Sequence, residues 1–100
     1  MYRELFLGFV RVHILYHAAR EEVCGSGLSE ELARHGYSIS PGTLYPTLRG
    51  LEREGYLASR PKVEGGRRRI YYRATAKGRK ALEKAKKQAL ELVREIMEDG

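Results

Sequence analysis

The sequence predicts a mainly α fold that carries one small β-hairpin. Three observations predict it. Two short helical stretches, the second opened by Ser40-Pro41, are joined by about four residues. Two alternating runs follow at once, joined through Gly65-Gly66. Long helical stretches rich in apolar residues stand at both ends of the chain. A helix pair followed by a hairpin is the layout of a winged helix-turn-helix, here over roughly residues 26 to 74. The expected division is residues 1–75 as a winged-helix domain including the N-terminal helix, and residues 76–100 as a C-terminal dimerisation helix.

Residues 2 to 22 read as the first helix. Leu5, Phe9, Val12 and Tyr16 keep helical spacing, and Phe6, Val10, Ile14, Leu15 and Ala18 widen the apolar surface beyond one stripe. A helix apolar over most of its circumference is covered on more than one side. A second copy of the chain is the economical cover for a protein of 100 residues. Cys24-Gly25-Ser26-Gly27 breaks this helix. The next is expected from about Ser26 to His35, with Leu28, Leu32 and Ala33 inward and Gly36 as a left-handed cap.

Ser40 is a favoured N-cap and Pro41 a favoured first helical residue. Leu44, Leu48 and Leu51 then share one face, and Gly55 stops the helix. Pro46 removes one bond of its ladder, so a local bend is expected there. Tyr56 to Val63 and Arg67 to Ala74 read as strands around a Gly-Gly turn, with Pro61 confining the first to an edge. Thr75 caps a last helix to about Glu98. Leu82, Ala85, Ala89, Leu92 and Ile96 form a heptad seam on it, thickened by Val93 and Met97.

Charge points to a partner class. The net charge is +6, but the window from Arg60 to Lys87 carries +10 and the rest of the chain −4. A basic stretch on a mildly acidic protein suits a polyanion, and a plain solvated face suits it too. One cysteine excludes an intrachain disulfide framework. The start lacks a signal-peptide layout, and Arg11, His13 and His17 interrupt the apolar run from Leu5 to Ala19. No membrane partner and a cytoplasmic location are therefore expected. Few amides among many charges is a thermophile-like composition.

A helix-turn-helix places its second helix in the major groove of duplex DNA, with the wing along the backbone. With the leucines buried, Gly42, Thr43, Pro46, Arg49, Gly50 and Arg53 turn outward. Ser40 and Thr43 are short hydrogen-bonding side chains, either for DNA or for the helix start. Gly42 allows a backbone close to a phosphate, and Arg49 can reach a guanine edge or a phosphate. Tyr45 can carry its hydroxyl to a phosphate or pack. Arg67, Arg68 and Arg69 repel one another at the wing tip unless an anion is near. Lys77, Arg79 and Lys80 oppose the dipole of the last helix, which a polyanion or simple solvation explains. His13, His17 and Cys24 lack a second cysteine or carboxylate cluster nearby in sequence. They read as ordinary interface or core residues, with no metal, cofactor or catalytic constellation expected.

The run from Ser40 to Leu57, with Gly42-Thr43-Leu44-Tyr45-Pro46 at its heart, closely resembles the "GTLYP…L..LE..G" signature of the PadR family of transcriptional regulators. Arg69 to Gly78 is similar to that family's wing strand and "YY.LT..G" junction. The resemblance implies a winged-helix homodimer on a palindromic duplex DNA operator, usually a repressor, built through its first and last helices. It places Thr43, Tyr45 and Pro46 in the DNA-facing signature. It also implies a small hydrophobic or aromatic effector near the dimer interface. Cys24-Gly25-Ser26-Gly27-Leu28 departs from the family's "YGYEL", and the chain has no tryptophan to stack on a flat drug. A nonspecific architectural DNA-binding protein and a winged-helix protein-interaction module are the competing readings.

Overall fold

The computed structural model describes residues 1–99. The elements run α1 (Tyr2–Arg20), β1 (Val23–Cys24), α2 (Gly25–Arg34), α3 (Pro41–Arg53), β2 (Leu57–Glu64), β3 (Arg67–Ala74) and α4 (Ala76–Asp99). The strands form one antiparallel sheet in the order β1-β3-β2. The helix-turn-helix and its wing are thus present as expected.

Strand β1 is the element the sequence did not announce. Val23 pairs with Tyr72 and Cys24 with Tyr71. This pairing explains why α1 stops at Arg20, short of residue 22: Glu21 is fully extended (φ −164°, ψ 165°). It also explains why α2 starts at Gly25, immediately after the strand. The first helix is thus broken as expected, and the glycine-rich run opens α2 one residue before the expected start at Ser26.

The core draws on every layer. Val10, Ile14, Leu15 and Ala18 of α1 meet Leu28 and Leu32 of α2, Leu44, Leu48 and Leu51 of α3, and Leu57, Tyr72 and Ala74 of the sheet. Each fully buried Leu or Ile contributes about 1.5–3 kcal/mol. The three leucines of α3 point inward as their spacing requires. One expectation needs correction: Ala33 is exposed, because it lies one residue round the helix from Leu32. On α1, Val10, Ile14 and Ala18 take the inward face, and Leu5, Phe9 and Tyr16 face outward.

Helices α2 and α3 end alike. Gly36 (φ +88°) donates to the Ala33 carbonyl, and Tyr37 to that of Leu32. Gly55 (φ +87°) donates to Glu52, and Tyr56 to Leu51. Each is a Schellman closure with a half-buried tyrosine behind it. The start of α3 differs from expectation. Ser40 holds the N-cap position, but its hydroxyl bonds no helix N–H; it donates to Thr43 Oγ1 at 3.3 Å. The Thr43 N–H is already taken by the Ser40 carbonyl at 3.0 Å. The helix runs unbroken through Pro46.

The hairpin turn is closed by Glu64 opposite Arg67, with Gly65 and Gly66 at φ +56° and +79°. Positive φ at both central residues is the twist a two-residue hairpin demands. Pro61 lies on β2, an edge strand, opposite Ile70. Thr75 caps α4 as expected: its hydroxyl oxygen accepts the Gly78 N–H at 3.0 Å. Along α4, Leu82 and Ala85 are half-buried, while Ala89, Leu92, Val93, Ile96 and Met97 are exposed in the single chain.

Candidate nucleic-acid interface

The surface of α3 divides between two grooves. On one side Thr43, Thr47 and Gly50 face the first half of α1 across a groove of about 260 Å³, where Arg3 and Arg11 also stand. On the other side Tyr45 looks across a groove of about 670 Å³ to Arg67, Arg68 and Arg69 of the wing, with Ser26 and Glu30 of α2 on its floor. Gly42, Tyr45, Pro46 and Arg49 are exposed on the ridge, and Thr43 and Gly50 are half-buried. The helix face expected to turn outward is therefore narrower by those two residues, since α1 stands over them.

Tyr45 has a built position. A Cβ placed at Gly25 would come within 2.6 Å of its ring and hydroxyl. The ring thus lies on the bare backbone of the first residue of α2, leaving the side chain 40% exposed. This is packing and presentation together. At Gly42, by contrast, a Cβ would meet nothing closer than Ser40 Oγ at 3.8 Å. The space above that backbone is open. Burial, then the Glu52 carboxylate, pushes the Tyr72 hydroxyl up, and Arg49 works against it.

The three wing arginines are not equivalent. Strand alternation puts Arg67 and Arg69 on one face and Arg68 on the other. Arg67 and Arg68 are exposed; Arg69 is half-buried and donates to Ser26 Oγ at 3.1 Å. That bond ties the wing to the start of α2. Cys24 sits beside it, 3.4 Å from Ser26 Oγ. Burial pushes its thiol up, but the Ser26 hydroxyl, the Gly27 N–H and Arg69 outweigh this and leave it below its ordinary value. Tyr71 donates to Glu64 near the turn, and this bond raises its hydroxyl to about 12.

Two further cations of the basic stretch are engaged within the chain. Arg60 makes a two-pronged bond to Glu22, both contacts 2.6 Å. Lys77 donates to the Glu54 carbonyl at 2.7 Å and covers the Tyr56 ring. It stabilises the negative end of α3. Its place against the dipole of α4 is thus explained without a polyanion. Arg79 and Lys80 remain exposed.

Sequence reasoning missed Arg3 and Arg11. Their spacing with Leu7 places all three on one face of α1, which was the available signal. It also treated His13 and His17 in isolation. The fold brings Glu31 of α2 and His35 at its C-terminal cap beside them. Burial is the main cause that lowers both the His13 and His17 imidazoles. A groove of about 540 Å³ opens between α1 and α4 beside them, lined by Phe9, Val12, Tyr16 and Leu82.

Comparison with known proteins agrees with this geometry. Residues 14–84 match the transcriptional regulator PadR-like family. A transcriptional regulator of Mycobacterium tuberculosis is 53% identical over 95 residues, covering 95% of this chain and 89% of the relative. The crystal structure of a PadR family transcriptional regulator from Eggerthella lenta superposes with a TM-score of 0.82 at 36% identity, over 96% of this chain and 85% of that one. The fold is shared also with Bacillus subtilis PadR, solved in complex with operator DNA (TM-score 0.69, 21% identity, 76% of this chain and 46% of that one). With its winged-helix fold and a family match that spans α3, the wing and the start of α4, this chain belongs to the PadR-like family of transcriptional regulators, which are not enzymes.

Proposed function

We propose that this chain is a homodimeric, sequence-specific DNA-binding repressor that acts in the cytoplasm on a palindromic operator. One observation carries the reading: Tyr45 of α3 and Arg67–Arg69 of the wing flank a single open groove, so a helix ridge and a cationic arm face the same way. A ridge that enters a major groove and an arm that follows the backbone need that arrangement. Gly42, Thr43, Tyr45, Pro46 and Arg49 are the ridge residues, with Ser40 at its start. Arg67 and Arg68 take phosphates, with Arg69 braced on Ser26. Arg3 and Arg11 add positive charge on the far side of α3. Residues 1–75 form the reading unit and 76–100 the dimerisation helix. The operator complex of Bacillus subtilis PadR supports the same mode here.

The apolar groove between α1 and α4 is the place for a small hydrophobic effector that releases the operator. It touches Leu82 at the root of the exposed α4 surface, so a ligand there would bear on how two copies pair.

Fluorescence anisotropy with the chain's own promoter DNA and with random duplex tests the reading. Specific DNA should bind at about nanomolar Kd, about a thousandfold more tightly than random duplex. The R67A/R68A/R69A variant should lose affinity for both and flatten the salt dependence by up to about three ion equivalents. Equal affinity for promoter and random duplex would overturn specific repression in favour of an architectural role. An unchanged salt slope in the triple variant would remove the wing from the interface.

A further inference from the structure

We propose that His17, Glu31 and His35 form a binding site for a divalent transition-metal ion of the zinc class, clamping α1 to α2. The site stands apart from the DNA-reading surface and does not depend on that reading.

Two sequence pairs converge there. His13 and His17 are four apart on α1; Glu31 lies in the last turn of α2 and His35, four residues on, caps its C-terminus. Residues four apart share a helix face, and the packing of the two helices turns these faces together. One ligand atom each from His17, Glu31 and His35 lies within 4.8 Å of the others. His17 Nε2 is buried and has no hydrogen-bond partner among the described residues. A buried polar nitrogen left unpaired is costly and calls for a partner. The His13 ring stacks 5.1 Å from that of His35, so a further imidazole stands at the edge of the set.

The donor chemistry selects the ion. Two imidazoles and one carboxylate suit zinc, nickel, cobalt or copper; calcium and magnesium prefer all-oxygen shells. Two histidines with one glutamate are also a known three-ligand zinc set that leaves a position open. Ligand atoms around zinc stand about 3.4 Å apart at bonds of about 2.1 Å. Separations of up to 4.8 Å must therefore tighten by up to about 1.4 Å. His35 is exposed and Glu31 half-buried, so both have room to turn inward. Glu31 now accepts a bond from Arg34 Nη1 at 2.6 Å. One carboxylate oxygen can keep that bond while the other binds the ion, an outer contact of the kind that orients metal ligands. The imidazoles of His13, His17 and His35 line the groove beneath α4, which supplies an entry path.

The test uses tag-free full-length protein, stripped with a chelator and titrated with Zn2+ by calorimetry and with Co2+ by visible absorption. One ion per chain is expected, with the strong visible bands of low-coordinate cobalt and a Tm that rises with Zn2+. H17Q, H35A and E31Q should each weaken binding by at least about tenfold. E31Q nearly preserves shape and H35A removes an exposed ring, so helicity by circular dichroism should stay at the wild-type value in both even if H17Q unfolds. No binding by the wild type, or binding that E31Q and H35A leave unchanged, would overturn the site.

Discussion

A side chain cannot be added at Gly78. Its Cβ would collide with the Tyr56 carbonyl oxygen, a backbone atom with nowhere to go, and Leu15 closes the space beside it. The glycine of the wing junction is thus a packing requirement. Gly78→Ala should cost about 1–3 kcal/mol or more in denaturant unfolding, although alanine is the better helix former. Exposed residue pairs behave differently. The hydrogen bond from Arg60 is the main cause that lowers the Glu22 carboxyl. A carboxyl depressed in the folded state contributes stability above its unfolded value and loses it as pH falls through the folded one. The Tm of Glu22→Gln should therefore lie slightly below wild type at pH 7, and the gap should close as pH is taken below about 4. A gap that is constant with pH would mean the pair contributes through packing, not charge.

At the scale of elements, the hairpin gives a sharp test of backbone geometry. Gly66 sits at φ +79° with open space around it. Gly66→Ala should cost about 1 kcal/mol through backbone strain alone, whereas Gly65→Asn should be tolerated, since asparagine accepts this region. Thermal unfolding of the two variants separates them. The elements also show what the sequence made legible. Helices α2, α3 and α4 and both wing strands follow from period, caps and the Gly-Gly turn, because those signals are local. Strand β1 was hidden because two residues carry no period, and its existence depends on Tyr71 and Tyr72 nearly fifty positions away. The wing arginines and Tyr45 were legible as a set. The Arg69–Ser26 brace, the Lys77–Glu54 bond and the seat of Tyr45 on Gly25 were not, because each joins elements whose mutual angle only packing decides. The same reason hid the meeting of His17 with Glu31 and His35.

At the scale of the whole molecule, α4 extends the chain to 54 Å along one axis against 27 and 21 Å along the others. Leu92, Val93, Ile96 and Met97 are 50–73% exposed on it, and Leu5 and Phe9 on α1 are about half exposed. Apolar surface of this extent is rare on a lone soluble domain. If a second copy covers it, L92E/I96E should sediment as a monomer where wild type sediments as a dimer. The variant should also bind a single half-site no worse than wild type, while losing its preference for the palindrome. A wild-type monomer at micromolar concentration would exclude the homodimer.

The junction between α3 and α4 has a mechanical consequence. Thr75 donates twice, through its N–H to Tyr56 and through its hydroxyl to Gly55, and Lys77 reaches back to Glu54. With Gly78 wedged on the same carbonyl, three residues at the root of α4 are tied to the three that follow α3. Such a joint has little play. A rotation of about 5° at the root of α4 displaces its far end by about 3 Å over 24 residues at 1.5 Å each. In the proposed homodimer, a small shift in how two copies lean together would become a change of pitch between their two winged helices. The stiffness of one threonine-centred weld would then set how faithfully the spacing of the two winged helices is kept.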